Sequence, residues 1–123
     1  MPVPILKQGD FLIATVQSSL SDREVIQLQD DLSEHVGSYR SQGVILDVTA
    51  LDIMDSFVSR AFRSMALMAK LKGAETVIVG IQPEVAFALV QLGLTLEGVN
   101  TALDLEEGLA FLRGRRKRKR DGR

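Results

Sequence analysis

The sequence predicts an α/β domain, a mostly parallel mixed β-sheet with about four helices, followed by a disordered basic C-terminal tail. Three observations carry this. Short runs of β-branched and aliphatic residues alternate with segments of helical period, the pattern of strands joined by crossover helices. Val44 to Val48 is apolar at all but one position, as expected of a strand covered on both faces. Charge is divided unevenly along the chain: residues 1–112 carry 7 Lys and Arg against 15 Asp and Glu, whereas residues 113–123 carry 8 against 1.

Taken in order, Ile5 to Lys7 is a short strand candidate and Phe11 to Val16 a longer one. Ser21 and Glu24 have the spacing of a capping box, and Val25, Leu28, Leu32, Val36 and Tyr39 then recur at helical intervals, so a first helix ends near Tyr39. Gly43 precedes the strand Val44 to Val48. From Ser56 the positions Val58, Phe62, Met65 and Met68 or Ala69 mark a second helix, closed by Lys70, Lys72 and Gly73 with cations and a glycine at its end. Thr76 to Ile81 is the next strand. Pro83 suits a first helical turn, after which Val85, Ala86, Leu89, Val90 and Leu92 form an apolar face ended by Gly93. Leu96 to Val99 is a candidate last strand. Asp104 and Glu107 then open a final helix through Leu109 and Leu112. The domain occupies residues 1–112. The remaining segment from Arg113 has no apolar residue and repels itself, so disorder is expected there.

Composition narrows the function. Hydrophobic residues make up 46% and charged residues 25% of the 123, an ordinary balance for one globular domain, with few aromatics, so aliphatic side chains fill the core. There is no cysteine, which excludes disulfides, zinc–thiolate sites and thiol catalysis and agrees with a reducing cytoplasm. The amino terminus lacks the pattern of a secretion signal, and no apolar run approaches a membrane span. A cytoplasmic protein without a membrane anchor is expected. The single His35 falls near the apolar stripe of the first helix with no nucleophile beside it, which suits a structural role. No Gly-rich phosphate loop is present, and no cofactor is expected.

The functional weight falls on the segment from Val44 to Phe57. A serine at a helix start makes local hydrogen bonds, and a phosphate added there meets free backbone N–H groups and the positive end of the helix dipole. Ser56 is therefore either a simple N-cap or a phosphorylation switch. Asp47, Asp52 and Asp55 gather at the carboxyl end of a strand, where open α/β sheets bind ligands. They are turn-forming aspartates of a solvated loop, or a Mg²⁺ site of a phosphoryl-transfer enzyme. The second reading lacks the acidic pair expected after an early strand, since Gln17, Ser18 and Ser19 follow Val16. No metal is expected.

The string from Val44 to Phe57, with Asp55-Ser56 at the helix start, resembles the signature of the sulphate-transporter and anti-sigma-factor-antagonist (STAS) domains. Gly80 to Val85, Leu92-Gly93 and Thr101 to Leu109 resemble most the small antagonist subunits of bacterial stressosomes within that family. The likeness covers roughly residues 4–112. It implies a single STAS-like domain and a non-enzymatic phospho-switch that acts as a scaffold subunit. Ser56 would be modified by a partner serine kinase and reset by a phosphatase, with the kinase sequestered until Ser56 is phosphorylated, as part of a stress response. It further implies homo- and hetero-oligomers with paralogous STAS sensor subunits, and a partner-binding surface at Asp52, Asp55, Ser56 and Phe57. Many soluble anti-sigma antagonists follow the Asp-Ser pair with another hydroxyl residue and glycine. Here Phe57-Val58 follows, which favours the stressosome subclass over direct binding to an anti-sigma factor. The short chain without an added sensory region agrees with an antagonist. Nucleic-acid binding through the basic tail is the remaining alternative; without aromatic interleaving or a reading helix, a solvated tail is favoured.

Overall fold

The computed structural model describes residues 2–94, 96 and 98–120, the last four by backbone alone. Nine elements follow in the order β1 (Ile5–Gln8), β2 (Phe11–Thr15), α1 (Asp22–Tyr39), β3 (Gly43–Asp47), α2 (Ser56–Leu71), β4 (Glu75–Val79), α3 (Pro83–Gln91), β5 (Asn100–Ala102) and α4 (Leu105–Arg120). The five strands form one sheet in chain order. β1 and β2 pair as an antiparallel hairpin, and every later pair is parallel, so α1, α2 and α3 are crossovers.

Strand alternation divides the core into two layers. Leu12, Ala14, Val44, Leu46 and Ile78 face one side and pack with Leu28 and Leu32 of α1, Phe62 and Met65 of α2, and Val85 and Leu89 of α3. Phe11, Ile13, Ile45, Val77 and Val79 face the other side, against Leu109 and Leu112 of α4. The approach of α4 depends on Gly108: a Cβ there would sit 2.7 Å from Val79 Cγ1, too close for any side chain without displacement. At α1, Ser21 caps the helix with both halves of the capping box in place, Glu24 N–H donating to Ser21 Oγ at 3.1 Å and Ser21 N–H to Glu24 Oε1 at 2.9 Å.

Two expectations are corrected. The last strand lies at Asn100–Ala102 and not at Leu96 to Val99, where Val99 N–H donates to Leu96 O in a turn; Glu97, within that expected strand, lies outside the described residues. The face proposed for α3 is narrower than expected, since only Val85 and Leu89 are buried while Val90 and Leu92 are exposed. A nine-residue helix touches the core through a single i, i+4 pair. The start of the basic segment is carried by α4, which continues to Arg120. Two long-range ion pairs hold it: Arg115 Nη2 to Glu75 Oε1 at 2.9 Å and Arg116 Nη1 to Asp10 Oδ2 at 2.6 Å, with Arg116 also over the Phe11 ring. Burial pushes the Glu75 carboxyl up, but the Arg115 hydrogen bond and charge, with help from Asn100, outweigh it and leave it lowered. Residues 121–123 of the expected tail lie outside the described residues.

The capping box makes a pH prediction. The Ser21 backbone N–H, first among several donors, holds the Glu24 carboxyl down from its ordinary 4.5 to about 2. A depressed carboxyl stabilises the fold fully above its ordinary range, and that contribution is lost as the pH falls from 4.5 toward 2. Side-chain carboxyl titration by NMR is expected to place Glu24 near the low end of that window; a midpoint near 4.5 contradicts the capping assignment.

Candidate functional site

Parallel register sets the site. Thr15, Asp47, Val79 and Ala102 pair in one row at the carboxyl ends of β2 to β5, so the loops that follow emerge along one edge of the sheet. The ladder extends one residue further, with Val16 N–H donating to Asp47 O, Val48 N–H to Val79 O and Gly80 N–H to Ala102 O.

The β3–α2 loop is held down at several points. Asp47 Oδ1 accepts from Thr49 N–H at 3.0 Å and from Thr49 Oγ1 at 2.6 Å, closing the first turn of the loop. Leu51 and Met54 are buried as apolar anchors between which Asp52 and Ile53 stand in solvent. Asp52 N–H donates to Ser18 O of the β2–α1 loop at 3.0 Å. From the β4–α3 loop, Gln82 Nε2 donates to Thr49 O at 2.8 Å and to Asp52 Oδ1 at 3.3 Å. Gly80, at φ +78°, allows this close approach: a side chain there would collide with Thr49 Oγ1 and adopt a left-handed backbone as well. Thr49, Gly80 and Gln82 are therefore supports that residue spacing did not reveal. The only trace of them in the sequence is a glycine ending a strand and a glutamine just ahead of Pro83.

At the head of α2 the structure shifts the expected cap by one residue. Asp55, in extended backbone, is the N-cap, and its Oδ1 accepts from Val58 N–H at 2.9 Å. Ser56 is the first helical residue and is half-buried, not the exposed cap that its position suggested. Both residue types cap well; the carboxylate wins here because it reaches the third amide of the helix. The Ser56 hydroxyl is thus free of capping duty. Phe57 is half-buried against the larger core layer. Ser59, one turn on, is 1% exposed, and its Oγ has no hydrogen-bond partner among the described residues.

The structure therefore brings Asp52, Asp55, Ser56 and Phe57 together on one loop and helix start. Asp47, Asp52 and Asp55 do not act as a unit: each carboxylate takes a different partner, and among the described residues no group of three or more His, Asp or Glu side chains is placed to hold a metal ion. His35 lies on α1, its Nδ1 2.7 Å from Asp31 O and its ring edge-on to Tyr39. Among the described residues no helix is long and apolar enough to cross a membrane.

Comparison with known proteins accords with this geometry. The family model described as STAS domain matches residues 3–108. Two Bacillus subtilis proteins, the RsbT co-antagonists RsbRA and RsbRD, are 30% identical over 98 residues and 32% identical over 111 residues. These matches cover 80% and 89% of this chain but 34% and 40% of theirs, so the chain spans about a third to two fifths of those relatives' length. Among solved structures, a serine-to-glutamate variant of Moorella thermoacetica RsbS is 36% identical with a TM-score of 0.81, covering 94% of this chain and 97% of that one. A chain from a structure of the stressosome, described as a signal integration and transduction hub, is 37% identical with a TM-score of 0.77, covering 90% and 96%.

The shifted cap gives a stability prediction. Asp55→Ala is expected to cost about 0.5–2 kcal/mol, whereas Ser56→Ala, which removes no cap bond, is expected to change stability by less than about 0.5 kcal/mol. Urea unfolding of both variants checks this. A larger loss at Ser56 than at Asp55 contradicts the assignment.

Proposed function

The chain is a member of the STAS domain family, and on that footing we propose that it is a non-enzymatic phospho-switch and scaffold subunit of a cytoplasmic stressosome-type complex. A serine kinase is held on the surface formed by Asp52, Asp55, Ser56 and Phe57, and is released when it transfers the γ-phosphoryl group of ATP to Ser56 Oγ, the bond to the β-phosphate breaking to leave ADP and the hydroxyl proton being released. A phosphatase resets the switch. Paralogous STAS sensor subunits join the same assembly, a reading supported by the likeness to the RsbT co-antagonists and to the stressosome chain.

The observation that carries this reading is the division of labour at the head of α2. Asp55 supplies the cap, so the Ser56 hydroxyl is not needed for it, while the neighbouring Ser59 is buried. A phosphate brings about −1.5 to −2 charges at neutral pH. Placed next to Asp52 and Asp55 it deepens a negative surface, and a partner packed over it meets repulsion and the cost of desolvating that charge. The positive end of the α2 dipole tolerates the new charge, so the fold itself stays. The output is loss of a partner from an unchanged domain.

Incubation with the cognate kinase and ATP, followed by phosphopeptide mapping, is expected to place the phosphate on Ser56 and none on Ser59. Ser56→Ala is expected to reduce incorporation to background while retaining the kinase in pull-down, and Ser56→Asp to weaken retention. Labelling of Ser59 alone, or undiminished labelling of Ser56→Ala, contradicts the reading.

A further inference from the structure

The helix that begins at Ser56 carries charge of the opposite sign to the rest of the domain. Residues 1–112 hold 7 Lys and Arg against 15 acids, yet α2 has Arg60, Arg63 and Lys70 and no acid anywhere between Ser56 and Leu71. Ser56, Arg60, Arg63, Leu67 and Lys70 recur at i, i+4, i+7, i+11 and i+14, which puts them on one face of the helix. The four residues after Ser56 in that series line a groove of about 450 Å³ that Val99 also lines. Among the described residues Arg60 and Arg63 have no hydrogen bond or ion pair to another side chain, and Leu67 between the cations is 60% exposed.

We propose that this stripe is a docking surface for an acidic, partly apolar protein segment, and that a phosphate on Ser56 closes it by capturing Arg60. The capture half of the inference rests on Ser56 being the phosphoacceptor. Two guanidiniums that take no ion pair among the described residues, on a domain of net negative charge, select an anionic partner. The exposed Leu67 at the centre of the stripe selects a protein segment over a nucleic-acid backbone, because it offers apolar contact where a row of phosphates has none to give. Ser56 sits at the seam between the acidic loop and the cationic stripe. A phosphate there has Arg60 one turn away on the same face, a spacing at which opposite charges attract along a helix. Once engaged, Arg60 is withdrawn from the partner and the local charge is reversed.

The test uses the full chain with phosphoserine installed at position 56 during translation, so that no kinase is needed and failure of the kinase reading remains a separate result. The probe is a fluorescent amphipathic peptide of Glu and Leu, measured by anisotropy at low ionic strength. The unmodified protein is expected to bind it in a salt-sensitive manner, Arg60→Glu/Arg63→Glu to weaken binding roughly five- to tenfold, and phosphoserine to weaken it comparably. In ³¹P NMR titration the second phosphate pKa is expected to lie roughly 0.3 unit lower with Arg60 present than in Arg60→Gln, a neutral change at an exposed position. Peptide binding that is absent or indifferent to the double charge reversal overturns the docking surface, as does a DNA duplex that competes for the stripe more strongly than the peptide. A phosphate pKa identical in Arg60→Gln overturns the capture.

Discussion

The parallel register of β2, β3 and β4 is the constraint on which the site depends. Because Thr15, Asp47 and Val79 stand in one row, the loops that follow these strands leave the sheet side by side and can be tied to each other. The ties are few and specific: Ser18 O takes the Asp52 amide, and Gln82 spans Thr49 and Asp52. A shift of one residue in either pairing would turn the side chains of the shifted strand to the wrong layer and separate these partners at once. Buried Leu51 and Met54 fix the loop from below, so the exposed Asp52 and Ile53 are presented by a braced turn. The head of α2 inherits its position from that turn.

Electrostatics then gives the braced edge its character. On the loop side of Ser56 stand Asp52 and Asp55, and on the helix side stand Arg60, Arg63 and Lys70. A modification at a boundary of this kind is read differently from one in a uniform field: it strengthens one side and cancels the other. A surface with two adjacent patches of opposite sign suits the proposed holding and release of a partner. The second sheet face contributes to none of this. It is sealed by α4, whose basic extension is anchored by Glu75 and Asp10 at the opposite, amino-terminal ends of the strands.

Local chemistry was the legible part of the sequence. The Ser21 and Glu24 capping box, the strand from Val44 and the proline start of α3 each depend on residues within a few positions of one another, and each stands where the spacing puts it. The family likeness carried by Asp55-Ser56 is likewise a local string. What escaped was long-range. Arg115 and Arg116 look like part of a self-repelling tail until Glu75 and Asp10, 40 and 106 residues away in sequence, meet them. The Gln82 tie to Thr49 spans 33 residues. The choice between Asp55 and Ser56 as cap was the finest miss, since both are good caps and only the backbone direction entering the helix decides which side chain reaches the Val58 amide.

A braced loop, a cap that does not involve the Ser56 hydroxyl and a buried Ser59 together lead to the central claim that a phosphate at Ser56 would alter the surface and leave the fold in place. Amide NMR spectra of the chain with and without phosphoserine at position 56 test it most directly. The account predicts shifts confined to the first turns of α2 and to the loops after β2, β3 and β4, with the amides of α4 and of the strand interiors unmoved. Shifts spread through Ile45, Val77 and Leu112, or a loss of dispersion across the sheet, would contradict it.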